Sequence, residues 1–165
     1  MQTHYLVMAD DENKNKFSDQ FISGNRKMKG SIIPKNFRIL LVDDDEDFNK
    51  ALSFSLRKKG IDVIAVQSGY KAIKVLEGNS FDLILLDLKM PGMDGVETFK
   101  RINQLKKGSS VIIMTAYHEE DQMKAVKELN PFGFLKKPFD VAQLISHIDE
   151  IIKEKKDEEG KDSCC

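Results

Sequence analysis

The chain has 165 residues, 41% of them hydrophobic and 32% charged, which suits one folded domain of ordinary composition. Lys and Arg number 26 against 27 Asp and Glu, a net charge of −1, so the charge balance gives no reason to expect nucleic acid or an anionic membrane as the main partner. No run reaches the ~18 apolar residues of a membrane span, and the N-terminus lacks a basic start followed by an apolar run, so the expected compartment is the cytoplasm.

Residues 1–36 are polar, rich in Asn and Lys, and carry six basic and four acidic side chains. Their apolar pairs are too short to build a core, so this stretch is expected to be a flexible extension. Met8 and Met28 are alternative starts within it. The pattern changes at Phe37. Apolar runs at 39–42, 61–66, 81–86, 111–114 and 132–135 read as strands buried on both faces of a parallel sheet. Stripes with helical spacing lie between them. The first is Phe48, Ala51, Leu52, Ser55 and Leu56; the second is Ala72, Ile73, Val75 and Leu76. Val96, Phe99, Ile102 and Leu105 make the third, and Met123, Val126 and Leu129 the fourth. The last and clearest is Val141, Leu144, Ile145, Ile148, Ile151 and Ile152. Five strand–helix alternations over residues 37–156 predict an α/β fold, a doubly wound five-stranded parallel sheet with helices on both faces. Residues 157–165 form a polar tail ending in Cys164 and Cys165, too few thiols for a disulfide framework or a zinc site.

In an open sheet of this kind ligands bind beyond the carboxyl ends of the strands. Asp43, Asp44, Asp45, Glu46 and Asp47 follow the first strand, Asp87 ends the third, Thr115 the fourth, and Lys136-Lys137-Pro138 the fifth. Taken singly these have ordinary readings: an acidic turn or helix cap, a strand threonine, a surface lysine. Asp87 stands apart, because it closes the most apolar strand and a carboxylate there without a role would carry a desolvation cost. Clustered carboxylates need a compensating charge, and Mg²⁺ takes oxygen ligands. A cation, a lysine and a hydroxyl on one rim are the parts of a phosphoryl-transfer site.

The stretches Ile39-Leu40-Leu41-Val42-Asp43-Asp44-Asp45, Asp87-Leu88-Lys89-Met90-Pro91-Gly92-Met93-Asp94-Gly95, Ile113-Met114-Thr115-Ala116 and Phe134-Leu135-Lys136-Lys137-Pro138-Phe139 resemble the receiver domain of two-component response regulators. The resemblance covers residues 37–156 and implies a flavodoxin-like (βα)5 fold. It implies that Asp87 accepts a phosphoryl group from a histidine kinase or phosphotransfer protein. Asp43 and Asp44 would hold Mg²⁺ with Asp87 and the backbone carbonyl of Lys89. Thr115 would sense the phosphoryl group, Lys137 would pair with it, and Phe134 would be the aromatic that turns inward on activation. Relatives often have the Lys-Pro bond cis. Lys89 and Tyr117 flank the water's approach and are expected to lengthen the life of the acyl phosphate. The resemblance implies self-catalysed phosphotransfer and autodephosphorylation rather than the chemistry of a metabolic enzyme.

Two other readings compete. Asp43 and Asp45 mimic the acid pair of a haloacid dehalogenase-type phosphohydrolase, but Asp47 stands where that family wants Thr or Val. A docking module that never turns over phosphate is the other. Only thirteen residues follow Ile152, so the expectation is a stand-alone receiver acting by protein–protein binding, without direct DNA contact. The downstream target is not legible.

Overall fold

The structure is a computed structural model. It describes residues 33–105, 107–116 and 120–161. The chain divides into two units, Met1–Ser31 and Ile32–Cys165, and the architecture below is that of the second. Strands and helices alternate: β1 Arg38–Val42, α1 Glu46–Arg57, β2 Asp62–Val66, α2 Gly69–Gly78, β3 Leu83–Asp87, α3 Gly95–Leu105, β4 Ser110–Thr115, α4 Glu120–Glu128, β5 Gly133–Lys136 and α5 Val141–Lys161. The five strands form one sheet in the order β2-β1-β3-β4-β5, every pair parallel. This is the doubly wound (βα)5 arrangement expected from the alternation.

Alternation along each central strand splits the core in two. Ile39, Leu41, Leu83, Leu85, Ile112 and Met114 pack with Leu52 and Leu56 of α1 and Leu144, Ile148, Ile151 and Ile152 of α5. Leu40, Val42, Ile84, Leu86, Val111 and Ile113 pack with Ala72 and Leu76 of α2, Phe99 and Ile102 of α3 and Val126 of α4. Such two-sided burial explains why these strands read as unbroken apolar runs. It holds for β1, β3 and β4 only. β2 and β5 are the edges, and Asp62, Ala65 and Lys136 on them are exposed.

The helical stripes hold with one shift. On α1 the buried residues are Asn49, Leu52, Ser53 and Leu56, while Ala51 is exposed. The face is turned one position from the apolar stripe because the Asn49 amide donates to the backbone carbonyl of Asp43 at 2.7 Å. Most buried polar groups have such a partner, and this bond ties the start of α1 to the end of β1. Strand bounds move by a residue or two. β2 begins at Asp62 rather than Ile61, and β3 begins at Leu83 and includes Asp87. α5 continues past residue 156 to Lys161.

Candidate functional site

Register decides what meets at the carboxyl rim. Val42 lies opposite Leu86 on neighbouring strands, so Asp43 and Asp87 emerge side by side at the centre of the sheet. Strand order reverses between β1 and β3, which makes this the crevice where such sheets bind ligands. Asp87 pairs with Met114, which sets Thr115 one step further out, and Thr115 lies opposite Lys136 on β5. Lys137 follows directly, its N–H donating to the Thr115 carbonyl at 2.9 Å.

The Lys137 ammonium bridges the two acids. It donates to Asp43 Oδ2 and, at 2.8 Å, to Asp87 Oδ1. Asp43 is 1% exposed and Asp87 6%, so this is a dry triad in which two carboxylates share one ammonium. Backbone donors hold the remaining oxygens: Asp45 N–H to Asp43 Oδ1 at 3.0 Å and Lys89 N–H to Asp87 Oδ2 at 2.8 Å. Burial pushes the Asp43 carboxyl above its ordinary pKa, with Asp87 adding to the rise, against the opposing pull of Lys137 and the Asp45 N–H. For Lys137, burial works to lower the pKa, but the bonds and charges of Asp43 and Asp87 outweigh it and the ammonium is held above its usual range. The lysine therefore stays charged.

The segment after Asp87 is shaped by two glycines. Gly92 has φ +82°, a left-handed conformation that favours glycine. Gly95 opens α3 against the end of β3; a Cβ there would lie 2.4 Å from the Asp87 carbonyl oxygen and 2.6 Å from Leu88 Cα. The Gly95 N–H donates to the Leu88 carbonyl at 3.0 Å, and the carboxylate of Asp94 accepts from Glu97 N–H at 2.8 Å, capping the helix. The Met-Pro-Gly-Met-Asp-Gly stretch thus returns the chain within contact of the acid that precedes it.

Of the residues singled out from the sequence, Asp43, Asp87 and Lys137 are brought into direct contact, and Thr115 is buried beside them at 3% exposure. Asp44 is exposed on the rim, as is the Lys89 side chain. Asp45 does something different, since its carboxylate accepts from Phe48 N–H at 3.0 Å as the N-cap of α1. In this structure the second acid of the phosphohydrolase reading thus serves as a helix cap. Phe134, opposite Ile113, is half-buried against the core on the α2–α4 side and lines an open cavity of about 580 Å³ with Lys136, Gln143, Ser146 and His147. The Lys137–Pro138 bond is cis. Tyr117, Cys164 and Cys165 lie outside the described residues.

Two neighbours of the triad were not read from the sequence as part of the site. Asn49 donates to the Asp43 carbonyl; as a polar residue outside the apolar stripe of α1 it gave no reason to expect burial. Phe48 presents its ring to Lys137, with Nζ 4.5 Å from the ring centroid, and Phe139 meets that ring edge-on at 5.9 Å. The signal available for it was an aromatic five residues after Asp43 and another two after Lys137.

Among the described residues no three acidic, His or Cys side chains already stand together as a metal cluster. The donor set nevertheless suits a hard cation. Two buried carboxylates against one ammonium leave net negative charge, Asp44 stands on the adjoining rim, and all the available ligands are oxygen. No helix among the described residues is long and apolar enough to cross a membrane.

The family model described as response regulator receiver domain matches residues 39–149. Sporulation initiation phosphotransferase F of Bacillus subtilis is 38% identical over 109 residues, 66% of this chain and 88% of that protein. The transcriptional regulatory protein GlrR of Escherichia coli is 35% identical over 120 residues, 73% of this chain; the chain spans only 27% of that regulator's length. Among solved structures, a CheY-like receiver domain protein from Methanospirillum hungatei superposes with a TM-score of 0.71 at 26% identity, covering 74% of this chain and 98% of that one.

Proposed function

The chain belongs to the response regulator receiver domain family of two-component systems, and on that premise we propose that it is a stand-alone receiver that takes a phosphoryl group onto Asp87 and signals by phosphorylation-dependent binding to another protein. Receiver domains partner with histidine kinases or phosphotransfer proteins, and phosphorylation and Mg²⁺ binding are general features of the family. The observation that carries the assignment is the triad. Asp87 ends the central strand with one oxygen on the Lys137 ammonium and the other on a backbone N–H, so both of its carboxylate oxygens are held in a fixed orientation at the carboxyl rim. The stand-alone part is supported by the Bacillus subtilis phosphotransferase, of whose length the chain covers 88%.

In the proposed reaction an Asp87 carboxylate oxygen attacks the phosphorus of a phosphoimidazole in line. The new O–P bond forms as the P–N bond breaks, and its electron pair leaves with the imidazole nitrogen, which takes up a proton. Lys137, already on Asp87, meets the incoming phosphoryl oxygens; positioning and charge supply most of the catalysis. Asp43, Asp44, Asp87 and the backbone carbonyl of Lys89 are the groups that would hold Mg²⁺. When bound, the metal would supply a second positively charged centre for the phosphoryl oxygens. Thr115, buried at the next strand end, is placed to be drawn toward a phosphorylated Asp87. The half-buried Phe134, with an open groove on one side and the core on the other, has somewhere to go when it is.

Labelling by acetyl phosphate with Mg²⁺ tests the assignment. Wild-type protein should take up phosphate as an acid-stable, hydroxylamine-sensitive acyl phosphate and Asp87→Asn should take up none. Full labelling of the variant at another carboxylate would overturn the assignment.

A further inference from the structure

Two of the three charged partners in the triad are held by short side chains on strand ends. The third is not. Lys137 reaches the site on four rotatable bonds, and its ordering has an entropic cost that something must offset. Asp43 and Asp87 attract the ammonium but leave its approach open. Phe48 closes that side: its ring lies 4.5 Å from Lys137 Nζ. The ring is itself fixed at both ends. Its backbone N–H is bound at 3.0 Å by the Asp45 cap, so the first turn of α1 sets its position. Phe139, two residues beyond Lys137, packs edge-on against it at 82° between ring planes. The negative face of an aromatic ring attracts a cation, more strongly where water is scarce, and the Lys137 side chain is only 19% exposed.

We propose that Phe48, braced by Phe139, is a positioning residue for phosphoryl transfer: its ring face holds the Lys137 ammonium at the point where it meets both Asp43 and Asp87. This rests on the reading of Asp87 as phosphoacceptor. The residue touches no reacting atom; it acts through the lysine. An aliphatic side chain of similar bulk would fill the same space without the quadrupole, so packing and electrostatics separate cleanly.

The experiment has two readouts on the full chain. The first is NMR of unphosphorylated protein, where the Lys137 ε-methylene protons should be shifted upfield by the Phe48 ring current and should return toward ordinary lysine values in Phe48→Leu. The second is the rate of labelling by acetyl phosphate with Mg²⁺, a donor too small to need a protein docking surface. Phe48→Tyr should keep the rate within about twofold. Phe48→Leu should lose roughly five- to tenfold, equivalent to about 1 kcal/mol. Phenylalanines of increasing fluorination at position 48 should slow labelling in graded steps at unchanged shape, with thermal melts showing that each variant is folded. An absent ring-current shift, a Leu variant as fast as wild type, or a fluorinated series with a flat rate would each overturn the proposal. A wild-type protein that takes no label while showing the shift would overturn the phosphoacceptor reading and the kinetic role together, and leave the placement of the lysine standing.

Discussion

Lys137→Met removes the positive charge that bridges two buried acids while keeping most of the side chain's bulk. The carboxylates it serves are 1% and 6% exposed, and the lysine side chain itself is 19% exposed, so solvent screening is weak. Breaking a buried pair by deleting one partner costs about 3–5 kcal/mol, because the other partner is left charged and dry. The Asp45 and Lys89 N–H groups still bind the two carboxylates at 3.0 and 2.8 Å, which places the expected loss near the low end, at about 3 kcal/mol. In a domain of this size that lowers the melting temperature by roughly 10 °C. The loss depends on pH with a definite sign. Asp43 already has a raised pKa, chiefly through burial; without Lys137 it rises further. A carboxyl with a raised folded pKa contributes stability that is present below its unfolded pKa and lost as pH rises through the folded value. The deficit relative to wild type should therefore be full at about pH 7 and shrink toward about pH 4. Thermal melts of both proteins in chelator across this range measure it, and adding Mg²⁺ should return part of the lost stability. A variant melting within about 2 °C of wild type near neutral pH, or a deficit that widens on acidification, would refute the reasoning.

The acidic run after β1 separates by role. Asp44→Ala should weaken Mg²⁺ binding in a calorimetric titration more than Asp45→Ala, whereas Asp45→Ala should cost about 1 kcal/mol of stability through loss of the α1 cap. The reverse order of metal affinities would move the ligand pair to Asp44 and Asp45. Gly95→Ala forces a Cβ to within 2.4 Å of the Asp87 carbonyl; a denaturant melt should show a loss of about 1–3 kcal/mol, and acetyl phosphate labelling should slow because the strand end carrying Asp87 must give way. Unchanged stability and rate would mean that α3 slides without moving the acid.

The apolar runs and the stripes between them determined the α/β architecture, because strands buried on two faces and helices buried on one leave different periods in a sequence. The same runs concealed which strands were edges. β2 and β5 were read as apolar runs of the same kind as β1, and only pairing shows that one side of each lacks a neighbour. At the site, Asp43, Asp87, Thr115 and Lys137 could be singled out because each stands at the end of a strand or directly after it, and parallel strands bring their ends to one rim. Tertiary structure alone decided how they meet. Register sets Asp43 beside Asp87, and the turn after β5 brings Lys137, the lysine to which the resemblance pointed, between them. The three consecutive acids could not be told apart by type; their hydrogen bonds distinguish them, with Asp43 on the lysine, Asp45 on the Phe48 N–H and Asp44 on the rim. Asn49 and Phe48 were hidden for a related reason. One is a polar residue buried to hold a carbonyl, and the other is an apolar residue turned toward a charge. A hydrophobic pattern records how much water a side chain avoids, not which partner it finds when it does.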